Sequence, residues 1–170
     1  MDGEYEIKKA YASILDSDFE RAIDWFEQAV QLDPDNADYH YKLSITYARS
    51  NRLGKAIEHA RRALRLRPDD ETYRFHVDTL ESKRLVQEAE KHLDGTERAH
   101  LSVALLKDAI ALDPLSSEAY LLLAAAYGEL REYGPAVQAA KEALKLDPNS
   151  PEASRMADEY RLKWKAYLQP

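Results

Sequence analysis

Short amphipathic stretches alternate with polar turns along the chain, and the apolar positions keep helical rather than strand spacing. In residues 53–67, Leu53, Ala56, Ile57, Ala60, Ala63, Leu64 and Leu66 recur at three- and four-residue steps, which places them along one side of a helix. Residues 37–50 hold Tyr41, Leu43, Ile45 and Tyr47 in a mostly apolar helix, and Asn51-Arg52 interrupts the pattern between the two. The arrangement returns in 117–130 and 133–146. Helix starts are marked by Asn36 and Ser116, good N-cap residues, and by Ser150-Pro151, a cap before a proline at the first helical position.

The helix ends repeat as well. Ala29-Val-Gln-Leu-Asp-Pro34, Ala63-Leu-Arg-Leu-Arg-Pro68, Ala109-Ile-Ala-Leu-Asp-Pro114 and Ala143-Leu-Lys-Leu-Asp-Pro148 are one motif written four times, with prolines 34, 46 and 34 residues apart. Each proline stops a helix, because it cannot continue the ladder without losing a hydrogen bond. Four helix pairs of about 34 residues are therefore expected, the third one lengthened.

These residues resemble the tetratricopeptide repeat, whose pattern runs aromatic, Leu-Gly and Tyr in a first helix, then Ala, aromatic, Ala and Pro in a second. The last full repeat has Tyr120, Leu123-Ala124 and Tyr127, then Tyr133, Ala136, Ala140, Ala143 and Pro148. The second has His40, Leu43-Ser44 and Tyr47, then Ala56, Ala60, Ala63 and Pro68. The first keeps Phe19, Ala22, Phe26, Ala29 and Pro34, although its opening helix matches poorly. Small residues recur where two helices must approach closely: Ala22, Ala56 and Ala136, with Ser102 in the corresponding place of the odd repeat. The resemblance covers about residues 5–150. It implies an all-α fold, a right-handed α-solenoid (superhelix) of stacked antiparallel helix pairs in one domain over 1–170. Its repeats lie at about 3–36, 37–70, 71–116 and 117–150, with a C-terminal capping helix at 151–167. Met156, Tyr160, Leu162, Trp164 and Tyr167 supply the apolar side of that cap.

The odd repeat departs from the plan. Between Glu71 and Asp94 lie 24 residues without Gly or Pro, about twice what a first helix of this family needs. Tyr73, Val77, Leu80, Val86, Ala89 and Leu93 keep a roughly helical spacing. One continuous helix of about 36 Å at 1.5 Å per residue, projecting beyond the array, is the main expectation. Two short helices broken near Ser82 are the alternative. Asp94-Gly95 then returns the chain to a partner helix, 96–112.

Composition narrows the chemistry. The 170 residues are 45% apolar and 32% charged and include no cysteine, which removes disulfides, cysteine-ligated metals and thiol chemistry. No apolar run approaches the roughly 20 residues of a membrane helix and no secretory leader is recognisable, so a soluble, cytoplasmic protein without membrane insertion is expected. A net charge of −7 argues against nucleic-acid binding. That total conceals an asymmetry: residues 1–36 carry three basic and ten acidic side chains, whereas 37–70 carry eight basic and four acidic. Arg61, Arg62, Arg65 and Arg67 either complement the negative end of a helix or form a docking patch for an acidic partner or another copy's first segment.

No catalytic constellation is present, and no cofactor or metal is expected. Gly3, Gly54, Gly95, Gly128 and Gly134 are isolated, with no phosphate loop among them. His40, His59, His76, His92 and His100 are scattered; only His92 and His100, across the Asp94-Gly95 turn, have the placement for a two-His site. Acidic pairs such as Asp16 with Asp18, and Asp69-Asp70, fall at turns, where carboxylates cap helices.

In the family the first helices line a concave groove that holds a peptide or helix of a partner, so the resemblance implies a non-enzymatic scaffold. The expected groove residues are Tyr41, Ile45, Arg49, Phe75, Thr79, Leu121 and Ala125. The same positions equally suit cover by neighbouring helices, and Ile7, Tyr11 and Ile14 are ambiguous in register. An apolar, aromatic floor with acid at the rim suits an amphipathic helix or an extended apolar segment. The family's Lys, Asn and Arg clamp for chaperone carboxylate tails is not reproduced, since Tyr41, Ile45, Thr72, Phe75 and Leu121 stand there. The alternative is a self-assembling module, a homo-oligomer joined through the charged first two repeats or the long 71–93 helix.

Overall fold

The computed structural model describes residues 2–170, Thr96 by its backbone alone. Among the described residues the fold is all-α, with nine helices and no strand. These are α1 (Glu4–Leu15), α2 (Phe19–Leu32), α3 (Ala37–Arg49), α4 (Leu53–Leu66), α5 (Glu71–Glu90), α6 (Thr96–Leu112), α7 (Ser117–Glu129), α8 (Tyr133–Leu146) and α9 (Pro151–Leu168).

Local chemistry sets the boundaries. Asn36, Ser116 and Ser150 accept the backbone N–H groups of Tyr39, Ala119 and Ala153, so each expected cap is made. Asp18 and Asp70 do the same for Arg21 and Tyr73. At the other ends Asp33, Arg67, Asp113 and Asp147 donate to the carbonyls of Ala29, Ala63, Ala109 and Ala143, and a proline follows every time. Inside the pairs, Ser17, Asn51 and Arg131 turn the chain with φ of 59°, 57° and 58°, left-handed values that cost roughly 1–2 kcal/mol for a residue with a Cβ.

Packing divides the chain into two units, residues 1–80 and 81–170. In the first, α1 packs on α2, α2 on α3 and α3 on α4. Ala22 and Ala56 are fully buried at the crossings, around a core in which Phe26, Leu43 and Tyr47 are at most 1% exposed. Ser44, at the glycine position of the motif, is also fully buried and donates its hydroxyl to Ala56 O at 2.6 Å.

The second unit holds α6 to α9 and the later half of α5. Here α6 packs on α7, α7 on α8 and α8 on α9. Its core is Leu106, Val86 and Leu123 set among alanines, including Ala109, Ala124 and Ala140. Ser82 donates to Ala109 O and Ser102 to Ala89 O, both at 2.8 Å, which ties α5 to α6 through two buried hydroxyls.

Two expectations need correction. The stretch after Glu71 is a single helix, but it ends at Glu90 rather than Leu93 and does not project as a free rod. Tyr73 and Leu80 are buried in the first unit, and Val86 and Ala89 in the second. The terminal helix buries residues of its first half only: Ala153, Met156 and Ala157 are buried, whereas every residue from Arg161 onward is exposed, Trp164 and Tyr167 included although they lie against Gly134 and Tyr133 of α8. No helix among the described residues is long and apolar enough to cross a membrane.

Candidate functional site

Three helices of the first unit enclose a cavity of about 200 Å³. Tyr11 and Ile14 come from α1, Phe26 from α2, and Lys42, Ile45, Thr46 and Arg49 from α3. Phe26 and Thr46 lie at its floor, 1% and 2% exposed. Tyr11 meets Phe26 edge to face at 5.9 Å, and the Lys42 ammonium lies 5.8 Å from the Tyr11 ring. Lys42 also pairs with Asp38 one turn earlier. Burial works against its charge, but the Asp38 carboxylate outweighs that and holds the ammonium above its ordinary pKa. The cavity is therefore apolar and aromatic below with cations above, whereas acid was expected at the rim. A shallower cavity of about 370 Å³ adjoins along α1, sharing Tyr11 and lined also by Glu4, Ile7, Lys8 and Tyr39.

The expected groove residues separate into groups. Ile45 and Arg49 meet in the cavity just described. Tyr41 is half-buried, its ring 5.0 Å from Tyr73 and 5.1 Å from His76, so it also packs α3 against α5. Phe75 is 62% exposed, and Thr79 donates its hydroxyl to Phe75 O one turn back on the same helix. Leu121 and Ala125 are half-buried on α7 and pack against the core of the second unit. That unit has its own surface cavity of about 240 Å³, with Tyr120, Leu123 and Tyr127 facing Pro135, Gln138, Ala139 and Glu142.

Lys42 and Thr46 were missed. Their signal was the four-residue ridge running from Asp38 through Lys42 and Thr46, read instead as the adjacent one through Tyr41 and Ile45. Tyr11 and Ile14, left ambiguous, both line the cavity.

Scattered in sequence, His40 and His59 meet in the first unit, and His76 packs there against Ser44 and Tyr41. His40, 6% exposed, donates from Nε2 to Pro34 O at 2.9 Å, which leaves its Nδ1 to accept from His59 Nδ1 at 3.0 Å. Tyr47 stacks on His59 at 5.7 Å and donates its hydroxyl to Glu27. Ser44 has spent its proton on Ala56 O, so His76 Nε2 donates to the Ser44 oxygen at 2.8 Å. Burial, followed by the His40 ring, lowers the pKa of His59; burial alone lowers that of His76. His92 instead pairs with Glu88 at 3.2 Å.

Models of the tetratricopeptide repeat match residues 16–71 and 117–150, together more than half of the chain. No curated protein matches the sequence. Among solved structures, MamA 41-end from Desulfovibrio magneticus RS-1 aligns with a TM-score of 0.57 at 16% identity, over 98% of this chain and 91% of that one. MamA AMB-1 gives 0.57 at 21% identity over 96% and 82%, and another MamA crystal structure 0.53 at 19% over 98% and 90%. Identities this low speak to the fold alone. With the repeated helix ends, the caps and the small residues at the crossings in place, the chain belongs to the tetratricopeptide repeat family, a family of protein-interaction scaffolds.

Proposed function

We propose that the protein is a non-enzymatic adaptor that holds a peptide or amphipathic helix of a partner protein along its first helices. The observation that carries this reading is the cavity between α1 and α3, where Ile14, Phe26 and Ile45 form an apolar floor beneath Lys42 and Arg49. A hollow with an aromatic base and a charged rim accepts one bulky apolar anchor and orients it with a flanking carboxylate. Ile45 and Arg49 are the central contacts. Tyr41, Phe75 and Thr79 extend the surface in the first unit, and Leu121 and Ala125 offer a second one on α7.

The test is selection of peptides from a displayed random library on the wild-type protein, followed by binding to Ile45→Asp and Phe75→Asp variants. The expected result is a consensus with an apolar anchor whose binding is lost in both variants while helical circular dichroism is unchanged. Variants that unfold place these side chains in the core. Undiminished binding of the selected peptides to folded variants sinks the groove assignment.

A further inference from the structure

A second cavity lies elsewhere in the first unit, on the second helix of a pair. Arg61, Leu64 and Arg65 of α4, Pro68 of the following turn and Arg74 of α5 enclose about 470 Å³. The arginine cluster thus splits by direction: Arg62 leaves it to pair with Asp35 at 2.9 Å, while Arg61 and Arg65, one turn apart, share the cavity.

The helix dipole explains only part of this. Arg65 in the last turn of α4 is favoured by the negative helix end, but Arg74 stands in the first turn of α5, where a cation is disfavoured. Its Nη2 donates to Pro68 O at 2.9 Å, which fixes the guanidinium at the cavity wall. Among the described residues Arg65 has no ion-pair partner, and no carboxylate lines the cavity. Asp70 is nearby in sequence, but its carboxylate accepts the Tyr73 N–H as the cap of α5. Arg65 and Arg74 converge on an apolar floor of Leu64 and Pro68, two like charges that a bound anion would complement.

We propose that this cavity is a docking site for an acidic segment of a partner protein, an apolar side chain seated on Leu64 and Pro68 with flanking carboxylates held by Arg65 and Arg74. Guanidinium forks match carboxylates in bidentate pairs, and the apolar floor gives such a peptide a contact that a bare anion does not use. Another copy's acidic first segment is the weaker fit, because several of its carboxylates are engaged at home: Asp18 caps α2, Glu20 pairs with Arg52, Glu27 accepts from Tyr47 and Asp35 pairs with Arg62.

The experiment uses the full chain and a fluorescein-labelled peptide of sequence Glu-Asp-Leu-Glu-Asp, followed by anisotropy. Binding is expected at about 0.1 M salt and is lost by about 1 M, where the screening length is only about 3 Å. An Arg65→Gln, Arg74→Gln double variant, both side chains being exposed, is expected to weaken it roughly tenfold or more at unchanged helicity. Ile45→Asp is expected to leave this binding intact, which separates it from the groove. The proposal is overturned by any of four outcomes: no binding, equal binding to the double variant, equal binding of a peptide with Gly for Leu together with displacement by inorganic phosphate, or a concentration-dependent dimer that the double variant abolishes.

Discussion

The two units follow one repeat grammar and fill their cores differently. In residues 1–80 large and polar side chains, Phe26, Leu43 and Tyr47 with His40 and Ser44, are buried beside the alanines of the helix crossings. In residues 81–170 the core is mostly alanine, with Ala109, Ala119, Ala124, Ala126 and Ala140 all fully buried around Leu106 and Val86. Alanine lets helices approach closely and leaves little to rearrange, whereas rings and imidazoles must be fitted and hydrogen-bonded one by one. The arginine-lined and Ile45 cavities both lie in the first unit. The chain keeps Trp25 in one unit and Trp164 in the other, so tryptophan fluorescence can report on each separately once the other is replaced by Phe.

Truncating the aromatic core is expected to have the largest effect. Phe26→Ala removes a ring that is 1% exposed and should cost about 3–5 kcal/mol in urea unfolding followed at Trp25. Hydrogen exchange resolved by residue is the sharper readout: protection should fall first in residues 1–80. Equal loss in both units defeats the view that their cores are separately organised.

Overpacking tests the alanine-rich unit from the opposite side. Gly128 of α7 lies against Tyr160 of α9, where an added Cβ would meet the Tyr160 Oη at 2.5 Å and a ring carbon at 2.6 Å. Gly134 of α8 receives the Trp164 ring in the same way, with 3.2 Å available. Gly128→Ala is expected to destabilise by about 1–3 kcal/mol through loosening of α9, read as a shift in Trp164 emission, with Trp25 unaffected. A neutral result means that Tyr160 swings aside, and the cap then depends on Ala153, Met156 and Ala157 alone.

Features decided within four residues were legible in the sequence. The proline stops and the caps at Asn36, Ser116 and Ser150 each answer to a hydrogen bond with a near neighbour, and the small residues at the crossings were legible because they recur in register with those stops. The face of a first helix that looks outward does not. Tyr41 and Lys42 are one position, or about 100° of helix, apart, and which of them lines a cavity depends on whether Tyr73 and His76 stand ready to take the Tyr41 ring. Likewise the first helix hides Ala10 and Ser13 and turns Tyr11 outward, a register fixed by α2 and α3 rather than by its own pattern. The His40–His59 contact joins residues 19 apart, and nothing in either neighbourhood announces it. The end of α5 at Glu90 was missed because Lys91, His92 and Leu93 are acceptable helix residues, and the turn is imposed from Gly95, whose φ is 104°.

The smallest expected effect comes from acid, and it too should separate the units. His59 faces the His40 ring and Tyr47, with the Glu27 and Glu58 carboxylates favouring its proton and Lys55 opposing it; His76 faces Ser44 and Tyr41. Both have folded pKa values below the ordinary histidine value of about 6.5. Between that value and their own, the unfolded chain binds more protons than the folded one, so stability is complete above about 6.5 and declines as pH falls toward the lowered values. The cause is burial, which disfavours the charged imidazolium at both sites, with the adjacent His40 ring adding to it at His59. Urea midpoints taken at Trp25 should therefore fall between about pH 7 and pH 5.5, by less than either core substitution produces, while those at Trp164 hold steady. His59→Gln with His76→Gln, which keeps an N–H for Ser44, should flatten the Trp25 profile, whereas His100→Gln at an exposed position should leave it unchanged. A flat wild-type profile, or a parallel fall at both tryptophans, would remove the histidines as the distinction between the two units.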